Sequence, residues 1–374
     1  MEKNLVLLGG GHSHAIVLKL FAQKPLSGVR LTLITPVVDA PYSGMLPGHI
    51  AGFYSRADCH IDLQKLSNFA QAQLYFDQAI GLDLENNKVL CANRPAVDFD
   101  LLSINIGSTP SKVSVSGAAE YGIAVKPVRE FLDSWYQLQQ NVAANPQKPL
   151  SLAIVGGGVG GVELALAMQA GLSIKEHLEI HLFQRTGELL PNSNASLRQV
   201  VQKVLMEKGI KLHLGEAVCE LLPEEEKIKV KCQSGLTINC DKLFWVTQAS
   251  APEWVRNSGI GVDEEGFILV DDNLQSVTHP NIFAAGDIAS MLNYHLPKAG
   301  VFAVRQGKPL SENLRRIIEG KQLVPYIPQK DYLSLIGLGD GRAIASRGHF
   351  TLPPHPLLWQ WKDWIDRNFM SQFL

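Results

Sequence analysis

Twice along this chain an apolar run ends in a cluster of glycines and continues as a helical pattern. Leu5 to Leu8 meets Gly9-Gly10-Gly11-His12-Ser13-His14-Ala15, and Leu152 to Val155 meets Gly156-Gly157-Gly158-Val159-Gly160-Gly161-Val162-Glu163. A second apolar run follows each helix, Val29 to Thr35 in the first case and Leu178 to Gln184 in the second. Strand, glycine turn, helix, strand is the unit that builds parallel sheets, because a parallel neighbour is reached only through a crossover. The repetition continues downstream, where Asp100 opens the apolar stretch Phe99 to Ser108 and Asp241 opens Cys240 to Ala249. One glycine turn is weak evidence by itself; two with matched later strands are not chance.

Such a turn lets backbone N–H groups approach a pyrophosphate lying at the positive end of the helix. Gly9 and Gly11 meet that need in the first unit, where His14 stands at the third glycine position and Ala15 is left to restore close packing. Gly156, Gly158 and Gly161 meet it fully in the second, with Val159 and Gly160 inside the turn. The predicted fold is therefore α/β, with two Rossmann-like dinucleotide-binding domains. His12 and Ser13 begin the first helix, a place for packing or phosphate contact rather than for catalysis or a metal. The second strand of such a unit usually ends in an acid that holds the adenosine ribose, and neither unit has one. Thr35-Pro36 leaves a hydroxyl or backbone group for that work, and Gln184-Arg185 leaves NADH and NADPH both open, since no carboxylate repels a 2′-phosphate.

The 374 residues exceed what one core usually supports, so more than one domain is expected. Lys and Arg number 34 against 36 Asp and Glu, leaving no field to recruit nucleic acid. Five cysteines without a C-x-x-C pair (Cys59, Cys91, Cys219, Cys232, Cys240) argue for a reducing compartment and against a disulfide framework or zinc site. No signal-peptide pattern opens the chain, and no stretch approaches the roughly 18 apolar residues of a membrane span. The expectation is a cytoplasmic protein, in solution or on the inner face of the membrane.

The stretches Gly9 to Ala15, Phe99 to Pro110, Gly156 to Glu163 and Ile282 to Asp287 resemble the pyridine nucleotide-disulfide oxidoreductase superfamily over about residues 4 to 320, and within it the type II NADH dehydrogenases. Pro41 to Gly48 and the tail Trp361 to Asp366 also resemble a flavoprotein module found alone or fused ahead of selenophosphate synthetase (selenide, water dikinase). The resemblance implies FAD in the first unit and NADH or NADPH in the second. Gly286-Asp287 would bind the flavin ribityl chain, Ile106-Gly107-Ser108 would lie against FAD, and Tyr42, Ser43, Gly44, Met45 and Leu46 would line the isoalloxazine. Lys298-Ala299 would cover its pyrimidine edge, and Ala79 is placed with this FAD set. Glu163 matches the acid near the nicotinamide. Lys126, before Pro127 at the domain crossing, is a candidate to sit over the flavin, and these two are the catalytic positions expected. Gln248 stands where the family usually has glycine and puts a side chain in the path of the nicotinamide nucleotide. The family's paired flavin-side cysteines are missing, so thiol chemistry is not expected.

The expected layout is an FAD domain in two segments, 1–126 and 268–330, an NAD(P) domain over 127–267, and a C-terminal α+β module over 331–374. Val113 to Pro127 and Asn141 to Pro149 read as linkers, and a Pro-rich turn is expected before the last helix. In that helix Leu358, Trp361, Ile365, Phe369 and Phe373 form an apolar stripe interleaved with Lys362 and Arg367. The stripe admits two placements: on a membrane surface, or against its own domain or a dimer mate. The function expected is electron transfer from NAD(P)H through FAD to a quinone or other small acceptor; the alternative is an accessory module acting with selenophosphate synthetase.

Overall fold

The computed structural model describes residues 2–110, 115–172, 174–246 and 249–373. Two five-stranded parallel sheets dominate it. The first runs Ile282–Ala284, Leu101–Ile104, Lys3–Leu8, Val29–Thr35, Gln73–Phe76 in spatial order. Its central strands are buried on both faces, which is why they read as unbroken apolar runs instead of alternating. The second runs Gly122–Ala124, Lys242–Trp245, Leu150–Val155, Leu178–Gln184, Lys211–Leu214. Its edge strand Gly122–Ala124 comes from the stretch expected to be a linker, so the chain joins the second sheet before the second glycine unit begins.

The other expected linker begins inside a helix, Val128–Ala144. Phe131, Trp135, Leu138 and Val142 recur on one face of it and are buried, a helical spacing that the neighbouring small residues hide. Each sheet is joined by a three-stranded antiparallel ribbon: Ala79–Asp83, Lys88–Cys91 and Val97–Asp98 in the first half, Val218–Glu224, Lys227–Cys232 and Thr237–Cys240 in the second. The matched acids after these ribbons do matched work. Asp100 accepts from the Asn4 N–H at 2.6 Å while its own N–H bonds the Asn4 carbonyl at 2.9 Å; Asp241 does the same with Ser151, at 2.7 and 2.7 Å. Each acid locks the register of the returning strand against the first strand of its unit.

The C-terminal module is a three-stranded antiparallel sheet, Ser334–Gly337, Ala343–Arg347 and Phe350–His355, followed by the helix Pro356–Met370. The expected Pro-rich turn is instead the outer strand, where Pro353 and Pro354 need not donate to a ladder. Ile336, Leu338 and Ile344 enter the core of the second half, whereas Phe369, Met370 and Phe373 enter that of the first. The module therefore bridges both halves.

Candidate functional site

The first glycine turn is built around Asn105, which is 2% exposed. Gly9 has φ of +95°, and a Cβ there would lie 2.5 Å from the Asn105 carbonyl oxygen. A Cβ on Gly11 would lie 2.2 Å from Asn105 Oδ1, so only glycine fits at both places. The Gly11 N–H donates to the Asn105 carbonyl at 3.2 Å and the His14 N–H to Oδ1 at 3.3 Å, while Asn105 Nδ2 donates to the Ala285 carbonyl at 2.6 Å. Gly286 follows, with φ of +73° and its N–H donating 2.6 Å to Oε1 of the buried Gln306. One asparagine and one glutamine thus join the glycine turn to Gly286-Asp287. Neither was singled out from sequence, although Asn105 interrupts an apolar strand end and Gln306 falls on the buried helical face with Phe302, Ala303 and Leu310.

The expected first-unit residues gather here. Asp287, its side chain 14% exposed, takes the Lys126 ammonium at 2.8 Å and the Ser108 hydroxyl at 3.1 Å; Lys126 also donates to Ser108 at 3.0 Å. Gly107 has φ of +74° and open space where a side chain would stand. Ser13 turns its hydroxyl to the Ala303 carbonyl at 2.6 Å, tying the helix His12–Gln23 to Gly300–Ile318. Thr35 is buried and its hydroxyl closes its own turn on Val37, which leaves the backbone and the exposed Pro36 at that strand end. Met45 and Leu46 are buried core, Ser43 abuts Gly300, and Ala79 is buried at the start of the ribbon strand Ala79–Asp83. Lys298 points elsewhere than a free cation would: it donates to the Ala289 carbonyl at 2.8 Å and lies 3.8 Å over the Phe267 ring, with burial lowering its pKa. Ala299 caps the helix that follows.

His12 is held neutral by burial, edge-on to Tyr42 with ring centres 5.3 Å apart. Its Nε2 is buried without a partner, beside the charges of Asp287 and Lys126. A buried polar atom without a partner is costly unless something supplies one. With the glycine cradle and Asp287, this unsatisfied nitrogen fits a bound dinucleotide carrying hydroxyl groups, as FAD does.

The second turn is more open. Gly156 has φ of +126°, and a Cβ on Gly161 would sit 1.8 Å from the Gly156 carbonyl oxygen, while Gly158 faces empty space and Val159 is 37% exposed. Gly160 approaches Val246. Gln184 is buried and its Oε1 accepts from the Gly157 N–H at 2.9 Å. Arg185 is exposed. Gln248 lies outside the described residues.

Glu163 reaches the C-terminal module, accepting from the Gly337 N–H at 2.8 Å, and burial raises its pKa against the lowering pull of Lys362. Lys362 donates to the Gly44 carbonyl at 2.7 Å and to Asp366 at 2.6 Å. Both partners are almost fully buried, at 7% and 4% exposure. Burial, then the Asp366 charge, pushes Tyr42 upward. The apolar stripe read from the sequence is buried only at its C-terminal end, where Phe369 and Phe373 enter the core; Leu358 and Ile365 are half-buried and Trp361 is exposed. Lys362, Asp366, Phe369 and Met370 face inward, while Leu357, Trp361 and Trp364 are 62%, 43% and 65% exposed.

Cys59, the one cysteine near this turn, is buried and bonded to the Ser55 and Arg56 carbonyls, with burial pushing its thiol to about 12. It has no cysteine partner.

Two parallel sheets, each opening at a glycine turn, define a flavin-and-nicotinamide type of oxidoreductase fold. The model of the pyridine nucleotide-disulphide oxidoreductase family matches residues 3–307, and the chain belongs to that family. It is an FAD-dependent NAD(P)H oxidoreductase. It is 24% identical over 340 residues to the NADH dehydrogenase-like protein YutJ of Bacillus subtilis, covering 90% of this chain and 89% of that one. It is 26% identical over 280 residues to the demethylphylloquinone reductase NdbB of Synechocystis, covering 71% and 68%. The NDH2 structure from Plasmodium falciparum in complex with NADH shares its fold, with a TM-score of 0.82, 16% identity, and coverage of 100% and 98%. These relatives give the selenium-linked reading no support.

Proposed function

We propose that the protein passes electrons from NAD(P)H, bound at Gly156 to Gly161, through FAD at the first glycine turn to a quinone. The observation that carries the acceptor is Cys59: a buried, unpaired thiol held at about 12 is neither a thiolate nor half of a disulfide at neutral pH. With no dithiol relay beside the flavin-lining turn, the acceptor meets the flavin itself. Flavin supplies the hydride chemistry, and the protein orients and excludes water. Asp287 holds hydroxyl groups, and the Lys126 ammonium beside it offsets negative charge; Glu163 and Lys362 stand on the side of Gly44. The outward face of the last helix, with Trp361, Trp364 and Leu357 exposed, supports a place on a lipid surface, where such a quinone dissolves. Among the described residues no helix is long and apolar enough to cross a membrane.

The test is anaerobic reduction of the purified protein, followed by absorbance near ~450 nm, where bound flavin absorbs. Rapid bleaching by NADH or NADPH, then recovery on adding a water-soluble quinone, is expected. Bleaching by dithionite but by neither nicotinamide overturns the donor; bleaching without recovery overturns the acceptor.

A further inference from the structure

We propose that the second nucleotide site is built for NADPH, with Arg185 receiving the 2′-phosphate; this rests on the proposed binding of the nicotinamide cofactor at Gly156 to Gly161. An NADH site needs an acceptor at the end of the second strand for the paired ribose hydroxyls. The side chain standing there, Gln184, has its carbonyl oxygen committed to the Gly157 N–H at 2.9 Å, and its amide donates to the Thr186 hydroxyl. A Cβ on Gly157 would lie 2.9 Å from Gln184 Cβ, so the side chain is folded down onto the glycine turn and is 8% exposed. It serves the turn, not a ribose.

The next residue does the opposite. Arg185 is exposed, and among the described residues its guanidinium has no hydrogen-bond or ion-pair partner. The loop that presents it is fixed from the neighbouring strand, by the Gly215 N–H on the Thr186 carbonyl at 2.9 Å and the Glu216 N–H on the Gln184 carbonyl at 3.0 Å. The nearest acid along the loop, Glu188, faces Arg198 at 3.3 Å. A planar five-donor cation on a pinned loop, with no carboxylate within ion-pair distance among the described residues, suits a phosphate dianion.

Calorimetric binding of 2′,5′-ADP and of 5′-AMP to the FAD-loaded protein reads this without any hydride transfer. The expected result is 2′,5′-ADP binding roughly 10- to 100-fold tighter, the range of a charge-assisted contact. The advantage should vanish in Arg185→Ala and return in part in Arg185→Lys. An equal affinity for both probes, or an Arg185→Ala protein that keeps the preference, overturns the proposal. Flavin bleaching by NADH alongside equal probe affinities overturns NADPH selection and leaves the oxidoreductase reading standing. Tight 2′,5′-ADP binding without bleaching by NADPH supports the phosphate site and overturns the hydride step instead.

Discussion

His14 Nδ1 lies 2.7 Å from the carbonyl oxygen of Gly9, the residue that opens the first glycine turn. In the second unit the corresponding carbonyl, that of Gly156, leaves no room for even a methyl group on Gly161. The two units thus solve one problem twice. Where the second brings helix and strand together on a glycine, the first opens slightly and fills the gap with an imidazole that bonds the same carbonyl. The other nitrogen, Nε2, is 2.8 Å from the Ser103 hydroxyl on the returning strand. Nδ1–H donates to Gly9 and Nε2 accepts from Ser103, so one neutral tautomer satisfies both contacts. His14→Ala is expected to lower unfolding free energy by about 2 to 4 kcal/mol, through a cavity and stranded polar groups. Thermal melting with flavin content checks it; unchanged values would show that the turn holds without the ring.

The same residue predicts an acid limit. Burial depresses His14 from 6.5 to about 4, so folding favours its neutral form. That contribution is fully present above pH 6.5 and is lost as pH falls toward 4. The amount is about 3 kcal/mol by linkage. Denaturant unfolding of the native protein and of His14→Gln across this window should show the native stability falling more steeply. Parallel curves would place the acid sensitivity elsewhere.

Asp100 and Asp241 offer a comparison within one molecule. Each accepts from a backbone N–H of the first strand of its unit, Asn4 or Ser151. Replacing either by Ala strands that N–H and is expected to cost about 1 to 3 kcal/mol. Asp100→Ala should loosen FAD, measured as flavin released on dilution, and Asp241→Ala should leave flavin content unchanged. A loss of FAD from both variants alike would show that the halves do not respond separately.

This pairing also shows what the sequence makes legible. The two acids, the glycine turns and the doubled strand pattern are local signals, and the folded chain uses them locally. Asn105, Gln306 and the Lys362–Asp366 pair were not legible, because their meaning depends on partners far along the chain. Asn105 touches the turn, Ala285 and His14 at once. The last helix was half legible for a physical reason: periodicity puts Phe369 and Phe373 in the core, but it does not show that a buried ion pair accompanies them. Gly44 offers its carbonyl to a lysine, and that contact turns the ionic side inward.

Lys362 and Asp366 therefore set a test that separates stability from function. Removing one partner of a buried pair leaves the other charge stranded, a loss of about 3 to 5 kcal/mol, whereas replacing both by apolar residues of similar volume is near neutral. Lys362→Met and Asp366→Leu should each lower the melting temperature, and the double variant should recover most of it. If the pair only holds the helix on Gly44, quinone reduction in the double variant will match the native protein. Our expectation differs. The ammonium at Gly44 and the neighbouring Glu163, whose pKa burial raises, stand beside the turn proposed to line the flavin. The double variant should fold, bind FAD and be bleached by the nicotinamide, yet reoxidise with quinone about 10-fold or more slowly, the typical contribution of one positioned charge or proton donor at a reacting centre. Native reoxidation in that well-folded protein would confine Lys362 and Asp366 to a structural role.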